Sequence, residues 1–321
     1  MILVTGASGY VGHNLIRRLV ETGKPVRALV HNVAKAEARL AKVRDKIEIV
    51  QGDVTRPATL APAVEGVSAV IHLVAVAIEK KEFTYEAVNY QGTVNLVDAV
   101  KAAGVRRFIN MSQNGASSTL PYRFLASKGK AQDYVAASGL DWTAFRPSVI
   151  WGPQDEFANV QARLIKLTPF FFPVVGSGKA LFQPVYVGDV VAAFALSVDD
   201  ESTIGQSYEL GGPEVLTYQE IVQRVLQALD THRLLLRLPV PVLRPIVQLM
   251  QFSLPNPPVT TSLLDLLKVD NVVEHNALTD VFDIKPRPFR PDQLAYMQHF
   301  TRIGSLKRFM GRITADEEPL N

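Results

Sequence analysis

Eight residues near the start, Thr5-Gly6-Ala7-Ser8-Gly9-Tyr10-Val11-Gly12, set three glycines at three-residue spacing between an apolar run and an amphipathic segment. Glycine lets a backbone approach a pyrophosphate, and the free N–H groups at the start of the following helix hold its charge. An ordinary tight turn also takes glycine. The context on both sides points instead to a dinucleotide, with Gly6, Ser8, Gly9, Tyr10, Val11 and Gly12 against it. In a site for NAD(H), an acid at the end of the second strand binds the ribose 2′-hydroxyl. Here that strand ends Leu29-Val30-His31-Asn32, and no Asp or Glu falls between Glu21 and Glu37. Nothing would repel a 2′-phosphate, and His31, Lys35 or Arg39 could accept one, although such cations equally make a solvated helix face. NADP(H) is therefore expected ahead of NAD(H).

A second spacing bears on proton transfer. A phenol four residues before a lysine shares its helix face; the lysine lowers the phenol's pKa, and the phenol moves a proton while a nicotinamide moves a hydride. Lys128 closes the run Phe124-Leu125-Ala126-Ser127-Lys128, so the phenol position holds Phe124, whose ring cannot transfer a proton. Tyr122 lies six residues before Lys128, some 240° round a regular helix at ~100° per residue; only a late helix start or an irregular turn would bring it in. Of the six histidines, His13 and His72 fall near the glycine turn and a strand end, and none has metal-ligand spacing, so no metal is expected.

These residues must be held by an alternating chain. Strands are expected at Ile2–Val4, Val26–Val30, Ile47–Val50, Ala69–Leu73, Arg107–Met111 and Trp142–Phe145. Helices are expected at Tyr10–Glu21, Val33–Val43, Ala58–Val64, Tyr85–Ala103 and Tyr122–Ala137. Such alternation implies right-handed crossovers and a parallel sheet covered on both faces, an α/β doubly wound fold. After Phe145 come an aromatic loop at Phe170-Phe171-Phe172-Pro173, a strand (Val185–Val187), a helix (Val190–Val198), a strand (Ser207–Leu210) and a helix around Tyr218–Leu229. The expected division is a dinucleotide domain over 1–150, with elements around 183–210 returning to it. A smaller, mostly helical domain follows over 151–300, then a flexible tail over 301–321.

The T-G-x-x-G-x-x-G spacing resembles the extended and atypical short-chain dehydrogenase/reductases, a Rossmann-type group similar to NAD-dependent epimerases and dehydratases. Gly52-Asp53-Val54 resembles their turn whose acid contacts adenine, and His72-Leu73-Val74-Ala75 the strand end passing the nicotinamide ribose. Asn89-Tyr90-Gln91-Gly92-Thr93 is similar to their N-x-x-G-T helix. Arg146-Pro147, Gly152-Pro153 and Pro184-Val185-Tyr186-Val187-Gly188-Asp189-Val190 match later landmarks. The resemblance implies cofactor contacts at Asp53, Val54, Leu73, Val74, Ala75, Asn89, Met111, Lys128 and Pro147. It also aligns Asn110-Met111-Ser112-Gln113-Asn114-Gly115 with the end of the fifth strand, putting Asn114 at the usual catalytic hydroxyl position. Lys128 then reads as a ribose ligand or as the group that moves the proton. Leu238-Pro239-Val240-Pro241, Pro257-Pro258-Val259-Thr260, Asp270-Asn271-Val272-Val273 and Phe282-Asp283-Ile284 resemble one atypical subgroup, which includes the nucleotide-binding accessory subunit of respiratory complex I and its bacterial relatives.

Composition narrows the functions. The 321 residues carry 34 basic and 31 acidic side chains and no cysteine. Disulfides, thiolate metal sites and a cysteine nucleophile are excluded, and the near-neutral balance proposes no nucleic-acid partner. The apolar run from residue 2 reaches a turn at Gly6, leaving no room for a targeting signal, so a cytoplasmic protein is expected. The longest uncharged stretch, Pro245 to Leu264, holds four prolines and is no membrane span. A helix over Val242–Phe252 would put Pro245 in its first turn. The apolar Leu234–Leu267 segment either forms the smaller domain's core, lines a cleft for a hydrophobic small molecule, touches the inner face of a membrane, or docks on a respiratory complex, and Phe170–Phe172 is either a lid over a hydrophobic ligand or packing against the sheet. Two functions follow: an accessory dinucleotide-binding protein with little or no turnover, or an oxidoreductase or epimerase that uses Lys128 without a tyrosine.

Overall fold

The computed structural model describes residues 1–313. The chain divides into two compact units, the first made of 1–147, 187–210 and 274–285, the second of 148–186, 211–273 and the residues from 286 onward.

In the first unit, β1 (Ile2–Thr5), β2 (Val26–Val30), β3 (Ile47–Gln51), β4 (Ala69–His72), β5 (Arg107–Met111) and β6 (Asp141–Pro147) join the strand Gln206–Leu210 in one seven-stranded sheet. Its order is Gln206–Leu210, β6, β5, β4, β1, β2, β3, and every pairing is parallel. Burial on both faces explains why the strands read as unbroken apolar runs; β1 is buried at all four positions. On one face Leu3, Val70, Leu96, Val97, Val100 and Phe108 form a continuous core. Elsewhere Phe145 stacks on Phe194 at 4.4 Å and meets Phe282 at 5.6 Å. The chain leaves β1 toward β2 on one side and returns to β4 on the other, so a crevice opens at the carboxyl ends of β1 and β4, where such sheets take ligands.

The elements differ from the expected ones where local chemistry intervenes. The expected helix Tyr85–Ala103 opens with a π-helical turn over Tyr85–Gln91, capped by Thr84 on the Ala87 N–H, before Gly92–Ala102 continues as α-helix. The Val33–Val43 segment is helical over Val33–Arg39 and then tightens to a 3₁₀ turn. The helix bearing Lys128 runs Arg123–Ala136, with Tyr122 as an extended N-cap at φ −84°, ψ 104°. The 240° offset drawn for Tyr122 on a regular helix therefore does not apply. The segment 274–285 belongs to the first unit through Phe282, which also contacts Tyr208.

The second unit pairs Ile150–Trp151 with Val185–Tyr186, Leu181–Phe182 with Leu216–Thr217, and Phe171–Val175 with Leu234–Leu238. The expected aromatic loop is thus largely a strand. Pro173 has no N–H to donate, but in a two-stranded sheet each strand has one edge with no ladder to feed. Helices Ala158–Leu167, Tyr218–Ala228 and Val240–Ser253 enclose a core around Trp151, Ile165, Phe172, Ile221 and Leu264. The Val240–Ser253 helix starts behind its Pro239 cap, earlier than expected, so Pro245 lies beyond the first turn. The expected flexible tail is corrected in part. Arg302–Phe309 is a helix, capped by Thr301 and anchored by buried Ser305 and Phe309, while residues 314–321 lie outside the described residues. Among the described residues, no helix is long and apolar enough to cross a membrane.

Candidate functional site

The glycine turn after β1 folds tightly on itself and on the end of β4. Gly6 adopts φ +66°, and the Gly9 N–H donates to its carbonyl at 2.8 Å. A Cβ on Gly12 would collide with that same carbonyl oxygen, and one on Gly6 would press on the Leu73–Val74 peptide at 3.1–3.2 Å. The helix that follows, α1 (Tyr10–Glu21), has Gly9 as its N-cap, with no side-chain cap and no acid in its first turn. Its first N–H groups and positive dipole end are left for an anion. This cradle, which any Cβ would fill, fits a pyrophosphate. Val11 is buried and Tyr10 half-buried, its ring 6.4 Å from that of His13.

Beside it a cleft of about 190 Å³ is lined by Gly6, Ser8, His31, Asp53, Val54, Val74 and Phe83, among others. Asp53 is held rigid: one carboxylate oxygen accepts from the Thr55 N–H at 2.9 Å and its hydroxyl at 2.7 Å. The other lies 3.5 Å from His31 Nε2. The exposed His31 ring meets Phe83 edge-on at 6.0 Å. Lys35 is exposed on the helix capped by Asn32. Arg39, one turn further, is buried and donates to the Ser8 carbonyl at 2.9 Å, which sets a cation against the phosphate turn.

Along β4 the polar groups close a chain. Thr93 Oγ1 donates to the Asn89 carbonyl at 2.8 Å, so at 3.0 Å it accepts from His72 Nε2. His72 Nδ1 then accepts from Thr5 Oγ1 at 2.7 Å, and that oxygen accepts the Leu73 N–H at 3.2 Å. Each partner is satisfied by a neutral imidazole, and burial, aided by the Lys128 cation, holds the His72 pKa down at about 3. Asn89 is fully buried and its amide is spent on the chain itself: Oδ1 accepts the Val76 N–H, while Nδ2 donates to the Val76 carbonyl and to Ser127 Oγ. It positions the strand end carrying Leu73, Val74 and Ala75, which grade from buried to exposed.

At the proton-transfer end, buried Lys128 donates from Nζ to the Met111 carbonyl at 2.5 Å, and burial lowers its pKa to about 8. Phe124 packs edge-on against Tyr85 at 5.6 Å, whose hydroxyl donates to the Ala77 carbonyl. Asn114 is buried, and its N–H donates to the Pro147 carbonyl at 3.0 Å. Asn110 Nδ2 and Ser112 Oγ, on either side of Met111, are buried with no partner among the described residues. Sequence reasoning brought Gly6, Ser8, Asp53, Val54, His31 and Val74 to one cleft. It missed Phe83, an aromatic in a charged loop with no pattern of its own, and gave Arg39 no more than a place among three cations.

A family model described as NAD(P)H-binding matches residues 6–164. The chain is 29% identical over 314 residues to the NADH dehydrogenase (ubiquinone) 1 alpha subcomplex subunit 9 of Arabidopsis thaliana mitochondria, covering 94% of this chain and 78% of that protein. It is 30% identical over 265 residues to a 3-beta-hydroxysteroid dehydrogenase of Mycolicibacterium neoaurum, covering 71% and 69% respectively. Among solved structures, a nucleoside-diphosphate-sugar epimerase from Staphylococcus aureus superposes with a TM-score of 0.72 at 18% identity, over 93% of this chain and 99% of that one.

Proposed function

Because the chain belongs to the atypical short-chain dehydrogenase/reductases, we propose that it holds a nicotinamide dinucleotide in the crevice between β1 and β4, prefers NADP(H), and turns over weakly or not at all. Its role is that of an accessory or regulatory subunit peripheral to the inner face of a membrane or to a respiratory system. Likeness to the Arabidopsis complex I subunit supports that role. Phe124 carries the reading: the helix presents a phenyl ring where a proton would have to leave, and the lysine one turn on is tied to a backbone carbonyl. In this arrangement Gly6, Gly9 and the start of α1 hold the pyrophosphate. Asp53 and Phe83 enclose the adenine, Lys35 and Arg39 supply the charge that a 2′-phosphate needs, and His31 offers it a ring N–H. Lys128, Asn114 and the unpaired Asn110 and Ser112 side chains face the ribose and nicotinamide. When bound, the nicotinamide would supply hydride chemistry; the chain's residues orient it.

Titration of the purified protein with NADPH and NADH tests the reading. Binding of both is expected, with NADPH tighter by about tenfold or more, and His31→Asp reverses the order by repelling the 2′-phosphate. Absence of binding to either nucleotide sinks the proposal.

The lowered Lys128 pKa favours a second reading, an oxidoreductase or epimerase acting on a hydrophobic or sugar-type substrate. A lysine with a pKa of about 8 shuttles a proton near neutrality without a phenol. Under that reading Lys128→Ala abolishes substrate-dependent NADPH oxidation; under the first, there is none to abolish.

A further inference from the structure

The helix Val240–Ser253 buries Val240, Leu243 and Val247 and leaves its other side bare. Val242, Ile246, Leu249 and Phe252 follow one another at helical spacing and are all exposed, Phe252 to 93%. The helix Arg302–Phe309 repeats the pattern: Ser305 and Phe309 are buried, while Ile303, Leu306 and the adjacent Met310 are exposed. The carboxyl ends of the two helices are tied together. The Asn256 N–H donates to the Phe309 carbonyl at 3.1 Å, and its side-chain amide to the Arg308 carbonyl at 3.3 Å. Both bare stripes therefore run into one corner of the second unit. Contiguous exposed apolar surface of this kind marks an interaction site on a soluble protein.

Charge identifies the partner. Neither helix carries an acidic residue, and Arg302, Lys307 and Arg312 are exposed around the apolar stripe. Arg308 is already spent on Glu156 at 2.6 Å. Apolar side chains edged by these three cations, with Arg244 and Arg308 each paired to a carboxylate, of Asp265 and Glu156 respectively, fit a bilayer with anionic headgroups: the apolar stripe enters the acyl boundary and the remaining cations meet the lipid charge. A second copy meeting this face would have to present acids to Arg302, Lys307 and Arg312, and neither helix carries one. We propose that this corner is the face by which the chain lies on an anionic membrane surface. The inference rests on the peripheral association proposed above and locates it.

Flotation of the full chain with vesicles tests it. The wild type is expected to float with phosphatidylcholine vesicles containing phosphatidylglycerol, to stay behind with phosphatidylcholine alone, and to be released by salt. Leu249→Glu combined with Phe252→Glu should abolish flotation. Lys307→Gln and Arg312→Gln should each weaken partitioning about fivefold. Leu196→Glu, at an exposed apolar position of the first unit, should change nothing, and unaltered NADPH affinity in every variant shows that each is folded. Flotation of the Leu249/Phe252 variant at wild-type level overturns this face while leaving peripheral association intact. A wild type that floats with neither vesicle overturns the membrane face and direct association with lipid, and leaves docking on a respiratory complex and dinucleotide binding standing.

Discussion

Three buried ionisable side chains make stability depend on pH in opposing directions. His72 is held at about 3 in the folded chain, against 6.5 when unfolded. As pH falls through this window the unfolded chain gains a proton that the folded chain refuses, and stability drops by up to ~1.4 kcal/mol per pH unit. Asp155 behaves in reverse. Its carboxyl accepts the Gly152, Phe157 and Asn159 N–H groups, yet burial raises its pKa from 3.8 to about 7. Its stabilisation is present below 3.8 and lost as pH rises through about 7. The two slopes oppose each other where their windows overlap, so neither is visible in the wild type. Urea midpoints followed across that range should fall on acidification in Asp155→Asn and rise in His72→Gln; identical profiles in both variants would contradict the assignment. Lys128, lowered from 10.5 to about 8, adds stability only on the alkaline side, lost as pH falls through 8. If its cation helps to hold the dinucleotide, NADPH affinity weakens above pH 8 and Lys128→Met removes that dependence. At this scale the sequence disclosed residues whose meaning is local: the glycine turn, the absent phenol, the missing acid after β2. It could not disclose that His31 and Phe83 meet, because a contact between residues so far apart in the chain leaves no local pattern.

The elements place these residues, and two of them can be broken selectively. Gly12→Ala drives a methyl into the Gly6 carbonyl; the turn must open, so NADPH binding should fall by more than tenfold in isothermal titration. Asn89→Ala strands the Val76 N–H and carbonyl. A loss of about 3 kcal/mol in unfolding free energy is expected, with weaker binding because the end of β4 is no longer pinned. Near-wild-type stability in this variant would show that Asn89 is not the staple described. The strands were readable to within one or two residues, because a sheet buried on both faces requires apolar, β-branched runs. The π-helical turn at Tyr85–Gln91 was not, since its apolar spacing also fits an α-helix. Pro173 hid the strand Phe171–Val175, and Pro245 hid the true start of its helix, because proline's usual meaning was overridden by a free edge and by a preceding proline cap.

At the scale of the whole molecule, the dinucleotide-binding unit is assembled from three separate stretches of chain. The return of the strand Gln206–Leu210 was legible from its apolar pattern; that of 274–285 was not, because it contributes little beyond Phe282 and a short helix. A fragment ending at residue 150 keeps every glycine of the turn but loses Phe194, Tyr208 and Phe282 from around Phe145 and uncovers the edge of β6. Such a fragment is expected to show no cooperative thermal transition and no NADPH binding; a sharp transition would mean that the later stretches are dispensable. The same discontinuity bears on synthesis. A ribosome finishes the phosphate turn almost at once, but the last piece of the unit that holds it emerges only with Lys285, after most of the second unit has been made. Until Leu210 emerges the edge of β6 stays open, and until Lys285 emerges Phe145 and Tyr208 lack Phe282, so the nascent chain is a natural client for a holding chaperone, and arrest before Lys285 should yield a product cleared by proteolysis rather than a smaller working protein.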